Sequence, residues 1–336
     1  MRSSVVRTFV HFLIIAIATG LVGCATCRDQ KSILGKSEYK RWLDLEKQRV
    51  SAIPEKPVEK PTPSEKPAPS EKEGSNNIHA AGTEEFEKIG DQYISQGKIG
   101  MALMQYEKAL CLTPHQAIIH YKMGIIYLKR GMTDEALKAF EEIPRDDPKN
   151  ALGYEGMGRV FLARGELDKA KGCFREAISL NPQSWQPHAF LGLLYDQQKR
   201  FESAIKEYRK AVDINPHSGI LLNNFGMSCY LRGAYRESVE ALTKASKIKP
   251  VNPKTYNNLG LALGKSKRYK EALEAFKKGG DEAVAYNNLG YLYMDNGKYQ
   301  EAAHAFEKAI EIKPNFYPKA HENLRKAKTA LLSAKQ

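Results

Sequence analysis

The sequence predicts an all-α solenoid of paired helices, and three recurrences carry that prediction. A glycine returns every 34 residues, at Gly90, Gly124, Gly158, Gly192, Gly226 and Gly260, and then four residues early at Gly290. Twelve residues after each stands a small residue (Ala102, Ala136, Ala170, Ala204, Ser238, Ala272, Ala302), and sixteen after, an aromatic or Leu (Tyr106, Phe140, Phe174, Tyr208, Leu242, Phe276, Phe306). A proline follows at twenty-four in all units but one: Pro114, Pro148, Pro182, Pro216, Pro250 and Pro314. Self-similarity at this period is the signature of a stacked helical array.

The elements follow in chain order. Arg2 and Arg7 precede an apolar run from Phe9 to Ala18, and Leu21-Val22-Gly23-Cys24 closes the segment with small residues before a cysteine. About fifteen apolar residues are too few to span a bilayer comfortably. Residues 1–23 resemble a bacterial lipoprotein signal, which implies cleavage before Cys24 and acylation of Cys24; an uncleaved anchor or an ordinary signal peptide is the alternative. Ala25 stands where an aspartate would imply retention at the inner membrane, so the resemblance implies the outer membrane, periplasmic face. The acyl chains it implies exceed the two signals needed for stable anchoring. Nucleic acid is scarce there, so the net charge of +13 points to anionic lipid, cell wall or an acidic protein instead.

Residues 24–53 hold one candidate helix, with Ser37 as its cap and Tyr39, Trp42 and Leu43 on one face. It is either an interfacial helix or a short helix without a partner. Cys27 is a candidate second acylation or oxidation site. Residues 54–82 repeat Glu-Lys-Pro at 55–57, 59–61 and 65–67 with further prolines at Pro63 and Pro69. That composition builds no core and predicts a disordered, extended spacer, reaching roughly 90 Å at about 3.1 Å per residue.

Apolar residues spaced by three and four, as in Leu191, Leu194 and Tyr195, give each repeat two amphipathic helices. Gly97, Gly131, Gly165, Gly233 and Gly297 are placed to end the first helix in the left-handed region. Seven units result: 83–116, 117–150, 151–184, 185–218, 219–252, a short 253–282, and 283–316. In the short unit Lys277-Lys278-Gly279-Gly280-Asp281 replaces the last turn; four residues are close to one turn of about 3.6, so the helix should stop at Gly279 or Gly280 with Asp281 capping the next. A notch in the outer layer is expected there. A basic helix in 317–336 caps the array. No paired carboxylates, nucleophile motif or phosphate loop stands apart from repeat positions, so no enzyme is expected. Cys111, Cys173 and Cys229 fall in three units at different repeat positions and read as small core residues; no metal or cofactor is expected.

These landmarks resemble the tetratricopeptide repeat (TPR), a right-handed superhelix of helix–turn–helix units. The resemblance implies that positions two, five, six, nine, twelve and thirteen of each unit line a peptide-binding groove. Position six holds Asn224, Asn258 and Asn288, and position five adds Asn223, Asn257 and Asn287. Such amides form a ladder that pairs with a peptide backbone, or simply reflect the repeat consensus. Apolar groove candidates are Phe190 and Leu193, Met227 and Tyr230, and Tyr291 and Met294, with Lys254 and Lys265 reaching the same side. The first unit offers an acidic rim, Glu84, Glu87 and Asp91, and the next two are mixed, with Tyr121, Lys122, Glu155 and Arg159. Binding is therefore expected over units four to seven. Between Lys244 and Lys278 ten Lys or Arg meet only Glu271 and Glu274. The patch comprises Lys247, Lys249, Lys265, Lys267, Arg268, Lys270, Lys277 and Lys278, and is either a solvated face or a second site for acidic protein or lipid headgroups.

The run Tyr286-Asn287-Asn288-Leu289-Gly290-Tyr291 after the short unit, the stretch from Phe316 to Leu324, and the lipoprotein start resemble the TPR lipoproteins of the tight-adherence (Tad/Flp) pilus machinery. The lipoprotein that pilots a secretin ring in type IV pili is a close rival. Both imply an envelope adaptor with protein partners among pilus or secretin components. A cell-wall scaffold recruiting peptidoglycan enzymes is the alternative.

Overall fold

The computed structural model describes residues 71–249, 252–314 and 318–334. The chain divides between Ala52 and Ile53, and every described residue lies in the second unit, with which the following is concerned. The signal, Cys24, Cys27, the candidate helix after Ser37 and the Pro-rich stretch up to Ser70 fall outside the described residues.

Fifteen helices, and no strand, appear among the described residues. The first helices of the units are α1 (Glu71–Ser95), α3 (Ala117–Lys129), α5 (Ala151–Arg164), α7 (Trp185–Gln197), α9 (Gly219–Arg232), α11 (Pro253–Lys265) and α13 (Glu282–Asp295). The second helices are α2 (Ile99–Leu112), α4 (Thr133–Asp146), α6 (Leu167–Leu180), α8 (Phe201–Ile214), α10 (Tyr235–Ala245), α12 (Tyr269–Gly279) and α14 (Tyr299–Ile312). α15 (Pro318–Ser333) packs against α13 and α14 as the cap. Helices α3, α5, α7, α9 and α11 begin on the first residue of their expected units.

One boundary differs. α1 begins at Glu71, so the span expected to be linker, 54–82, is helical from Glu71 onward. Pro69 is the last proline before it; beyond that ring every residue keeps its backbone N–H, and Ala80-Ala81 favour the helix.

The recurrences become contacts. Every small residue at the +12 position is fully buried, and every +16 side chain is at most 1% exposed. Each landmark glycine faces its +16 partner so closely that an added Cβ would come within 2.4–2.7 Å of that side chain, from Gly90 on Tyr106 to Gly290 on Phe306. The period is thus the crossing point of the two helices in each unit. Ser238 keeps the pattern by donating its hydroxyl to the Gly226 carbonyl at 2.7 Å, which satisfies a buried polar group.

The turns between helices repeat as well. Gly97, Gly131, Gly165, Gly233 and Gly297 take positive φ. Two units lack that glycine, and Lys199 (φ 58°) and Lys267 (φ 62°) adopt the same left-handed conformation. Asn150, Ser218, Asn252 and Asp281 cap the first helices that follow them.

The short sixth unit folds as expected. α12 stops at Gly279, and Asp281 accepts from the backbone N–H of Ala283 (2.9 Å) and Val284 (3.4 Å). A side chain at Gly279 would meet Asn257 Oδ1 at 2.5 Å and the Pro253 carbonyl at 3.0 Å. Unit five has full length, yet α10 also ends after 11 residues. There Ser246 turns its hydroxyl to the Thr243 carbonyl, a local bond that competes with the helical ladder. The cysteines divide: Cys229 is buried, its thiol pushed up to about 12 by burial, and Cys173 is half-buried, but Cys111 is exposed rather than a core residue.

Candidate peptide-binding surface

Each second helix packs on the first helix of the next unit, and the first helices also meet along a seam built from positions five, six and nine. At its N-terminal end the seam is ionic. Lys122 Nζ donates to Glu87 Oε1 at 2.7 Å and to both Asp91 carboxylate oxygens at 2.6 and 2.8 Å, and Tyr106 donates to Asp91 at 2.6 Å. Between α3 and α5, the Tyr121 hydroxyl donates to Glu155 Oε1 at 2.7 Å and accepts from Arg159 Nη1 at 2.9 Å. Glu155 and Arg159 stand 3.7 Å apart with 3–4% of their side chains exposed.

The Arg159 guanidinium lies 5.1 Å over the Phe190 ring, and Phe190 stacks on Phe174 at 5.1 Å. Phe190 and Leu193 are 1% and 2% exposed, and the expectation that they line a groove is corrected: the aromatic stack and the arginine close over Phe190, and Leu193 is buried in the core. Nearby, His188 Nδ1 meets Glu207 Oε2 at 2.7 Å. Burial pushes the Glu207 carboxyl up, but hydrogen bonds with His188 and Lys210 outweigh it and hold its pKa below the usual value.

In the C-terminal half two of the junctions, α9 with α11 and α13 with the cap, are bridged by amides. Asn258 Nδ2 donates to Asn223 Oδ1 at 2.9 Å, and Asn323 Nδ2 of the cap donates to Asn287 Oδ1 at 2.9 Å. The Tyr291 hydroxyl donates to Asn323 Oδ1 at 3.0 Å. Asn258 was expected to face a ligand; it is buried and engaged between units. Asn223 with Asn258 and Asn287 with Asn323 form two separate amide pairs that hold helices together. Asn224 and Asn288 stay half-buried at the surface.

The other expected groove residues are reachable to different degrees. Met227, Tyr230 and Met294 are half-buried and Lys254 is exposed. Tyr291 is 43% exposed, its ring edge-on to Phe306 at 5.8 Å. Sequence reading missed Leu261, half-buried at position nine, and Val284, 37% exposed at position two; the same positional rule applied to every unit would have found both.

The basic patch separates into paired and unpaired cations. Lys265 binds Asp295, and that hydrogen bond raises its pKa. Arg268 binds Glu271 at 2.6 Å. Lys277 binds Glu282 at 2.9 Å and lies 5.4 Å over the Tyr286 ring. Lys247, Lys249, Lys267, Lys270 and Lys278 make no ion pair among the described residues.

Comparison with known proteins agrees with this architecture. Residues 62–288 match the family described as the cilia and flagella-associated protein 70 C-terminal domain. Residues 283–316, the seventh unit as bounded above, match the tetratricopeptide repeat, a fold that serves as a scaffold for protein–protein interaction. Similar solved structures include the Cut9–Hcn1 hetero-tetramer of the APC/C (TM-score 0.48, 21% identity, 75% of this chain and 48% of that one). The chain thus spans about half the length of that protein. Others are YrrB, described as a TPR protein with an unusual peptide-binding site (0.48, 19%, 60% and 100%), and PilF of Pseudomonas aeruginosa (0.49, 18%, 66% and 97%). No curated protein sequence matches the chain. With the first of these families covering more than half of the 336 residues, the chain belongs to the family of the cilia and flagella-associated protein 70 C-terminal domain and is built of tetratricopeptide repeats.

Proposed function

We propose that the chain is a membrane-tethered adaptor that holds a segment of a partner protein on the first helices of units five to seven, in assembly of a pilus or secretion apparatus of the bacterial envelope. One observation carries the reading. In units one to three the polar seam groups bond to one another, whereas in units five to seven Asn288 and Lys254, together with Asn224, whose oxygen accepts from Asn223 Nδ2 at 3.4 Å, remain reachable beside Met227, Leu261 and Tyr291. Amides that both donate and accept, set among apolar side chains, suit an extended backbone carrying apolar residues. The tether rests on Cys24 in its signal context, and the pilus or secretin partner on the run from Tyr286 to Tyr291 after the short unit.

Asn224→Ala, Asn288→Ala and Met227→Ala, combined in the full chain, should cut capture of a pilus or secretin component from envelope extracts at least tenfold, about 1.4 kcal/mol, with helicity by circular dichroism unchanged. Capture at the wild-type level would remove this surface from consideration. Recovery of peptidoglycan enzymes in place of pilus components would favour the cell-wall scaffold.

A further inference from the structure

The repeats act as internal controls for one another, and one second helix departs from the rest. On α2, Met101 and Met104 point outward and are 45% and 56% exposed, with Ile99 at 37% beside them. At the position of Met101 the other six second helices carry Glu135, Lys169, Ser203, Glu237, Glu271 and Glu301. At that of Met104 four of the six carry Lys138, Lys206, Glu240 or Glu274. Residues three apart share one helix face, so unit one alone presents an apolar outer ridge where its siblings present charge.

We infer that this ridge of α2 is a membrane-contact face, a conclusion that rests on the membrane-tether reading above. Three considerations select a lipid surface. The face is one side of a single helix, and unbranched thioethers adapt to a fluid surface without shape complementarity. A second copy is disfavoured, because a ridge of three side chains falls far short of the roughly 1,200 Å² that a stable interface buries. The 70 residues that precede the described region enter the array at α1, so unit one is the part of the solenoid nearest in sequence to Cys24. Lys98 and Lys108, three residues before Met101 and four after Met104, stand exposed beside the ridge and supply cations there for anionic headgroups; of the unit's acids, Glu87 and Asp91 are engaged by Lys122 on the first-helix seam.

The test is a tryptophan probe in the full chain, with Trp42→Phe and Trp185→Phe as background. Met104→Trp is compared with His304→Trp, its equivalent on α14, on phosphatidylethanolamine–phosphatidylglycerol vesicles carrying brominated acyl chains. The Met104→Trp probe should lose at least half its emission and shift to the blue, while the His304→Trp probe stays unchanged. A chain that sediments with vesicles but leaves the Met104→Trp probe unquenched overturns the contact face and leaves the tether standing. Selective quenching in a chain whose Cys24 carries no acyl group by mass spectrometry upholds the face and removes the tether. Failure to bind vesicles at all removes both.

Discussion

The seam between α3 and α5 and the seam between α9 and α11 occupy the same slot of the repeat with opposite chemistry. The first buries Glu155 and Arg159 against the Tyr121 hydroxyl; the second joins Asn223 to Asn258 by one amide bond. A charge withdrawn from water must be matched by another charge and by hydrogen bonds, or it costs several kcal/mol. An ionic seam therefore closes upon itself and has nothing left to offer a ligand. A neutral amide both donates and accepts and costs far less to withdraw from water than a charge, so an amide seam can hold its helices and still leave neighbouring amides at the surface. The same position thus serves cohesion in one half and, with its neighbours, recognition in the other.

The strongest way to break this comparison is to remove one member of the ionic seam. Arg159→Met should leave Glu155 without its buried cation and destabilise the array by about 3–5 kcal/mol, read from urea unfolding followed by circular dichroism. Glu155→Leu and Arg159→Met combined with Tyr121→Phe should recover much of that loss, because the Tyr121 hydroxyl, which bonds to both, is then removed with its partners. A cost below about 1 kcal/mol for Arg159→Met would show that water reaches the seam and that the two halves do not differ as argued.

A smaller effect sharpens the amide half. Asn258→Ala leaves the Asn223 carbonyl oxygen without its donor and should cost about 1–3 kcal/mol. Asn224→Ala, one position six earlier, should change stability by no more than about 0.5 kcal/mol while weakening partner capture. Equal stability losses at the two sites would mean that the ladder is wholly structural.

Much of this was legible in the sequence. The landmark glycines, their +16 partners, the left-handed glycine turns and the Asp281 cap depend on local spacing and backbone conformation, which a 34-residue period exposes directly. What was not legible depended on packing across units. Phe190 and Leu193 occupy groove positions by number, yet Phe174 and Arg159 bury Phe190, and no spacing rule reports which neighbour closes over a side chain. Asn258 shares position six with Asn224 and Asn288, but only its bond to Asn223 reveals that it faces inward. Residues 71–82 share the polar composition of the proline-rich stretch but lie past its last proline, Pro69, and composition alone does not mark where the backbone N–H groups become free to form a helix.

The smallest effect asks whether the two halves share one backbone frame. Lys199, in the unit where the halves join, and Lys267, in the amide half, hold the left-handed conformation that glycine holds in the other five turns. Their hydrogen bonds follow the glycine pattern. In unit six the Arg268 N–H reaches the Leu263 carbonyl at 2.9 Å, as the Met132 N–H reaches Tyr127 at 2.9 Å in unit two. A residue with a Cβ pays about 1–2 kcal/mol for this region, part of which glycine's greater freedom in the unfolded chain offsets. Lys199→Gly and Lys267→Gly should each therefore stabilise the array by about 0.5–1 kcal/mol, measured as a rise in the urea midpoint with unchanged slope. Matching gains would show that the frame is common and that the halves differ only in seam chemistry. A gain at Lys199 with a loss at Lys267 would show instead that the Lys267 side chain contributes contacts of its own, and that the amide half departs from the ionic half in its turns as well.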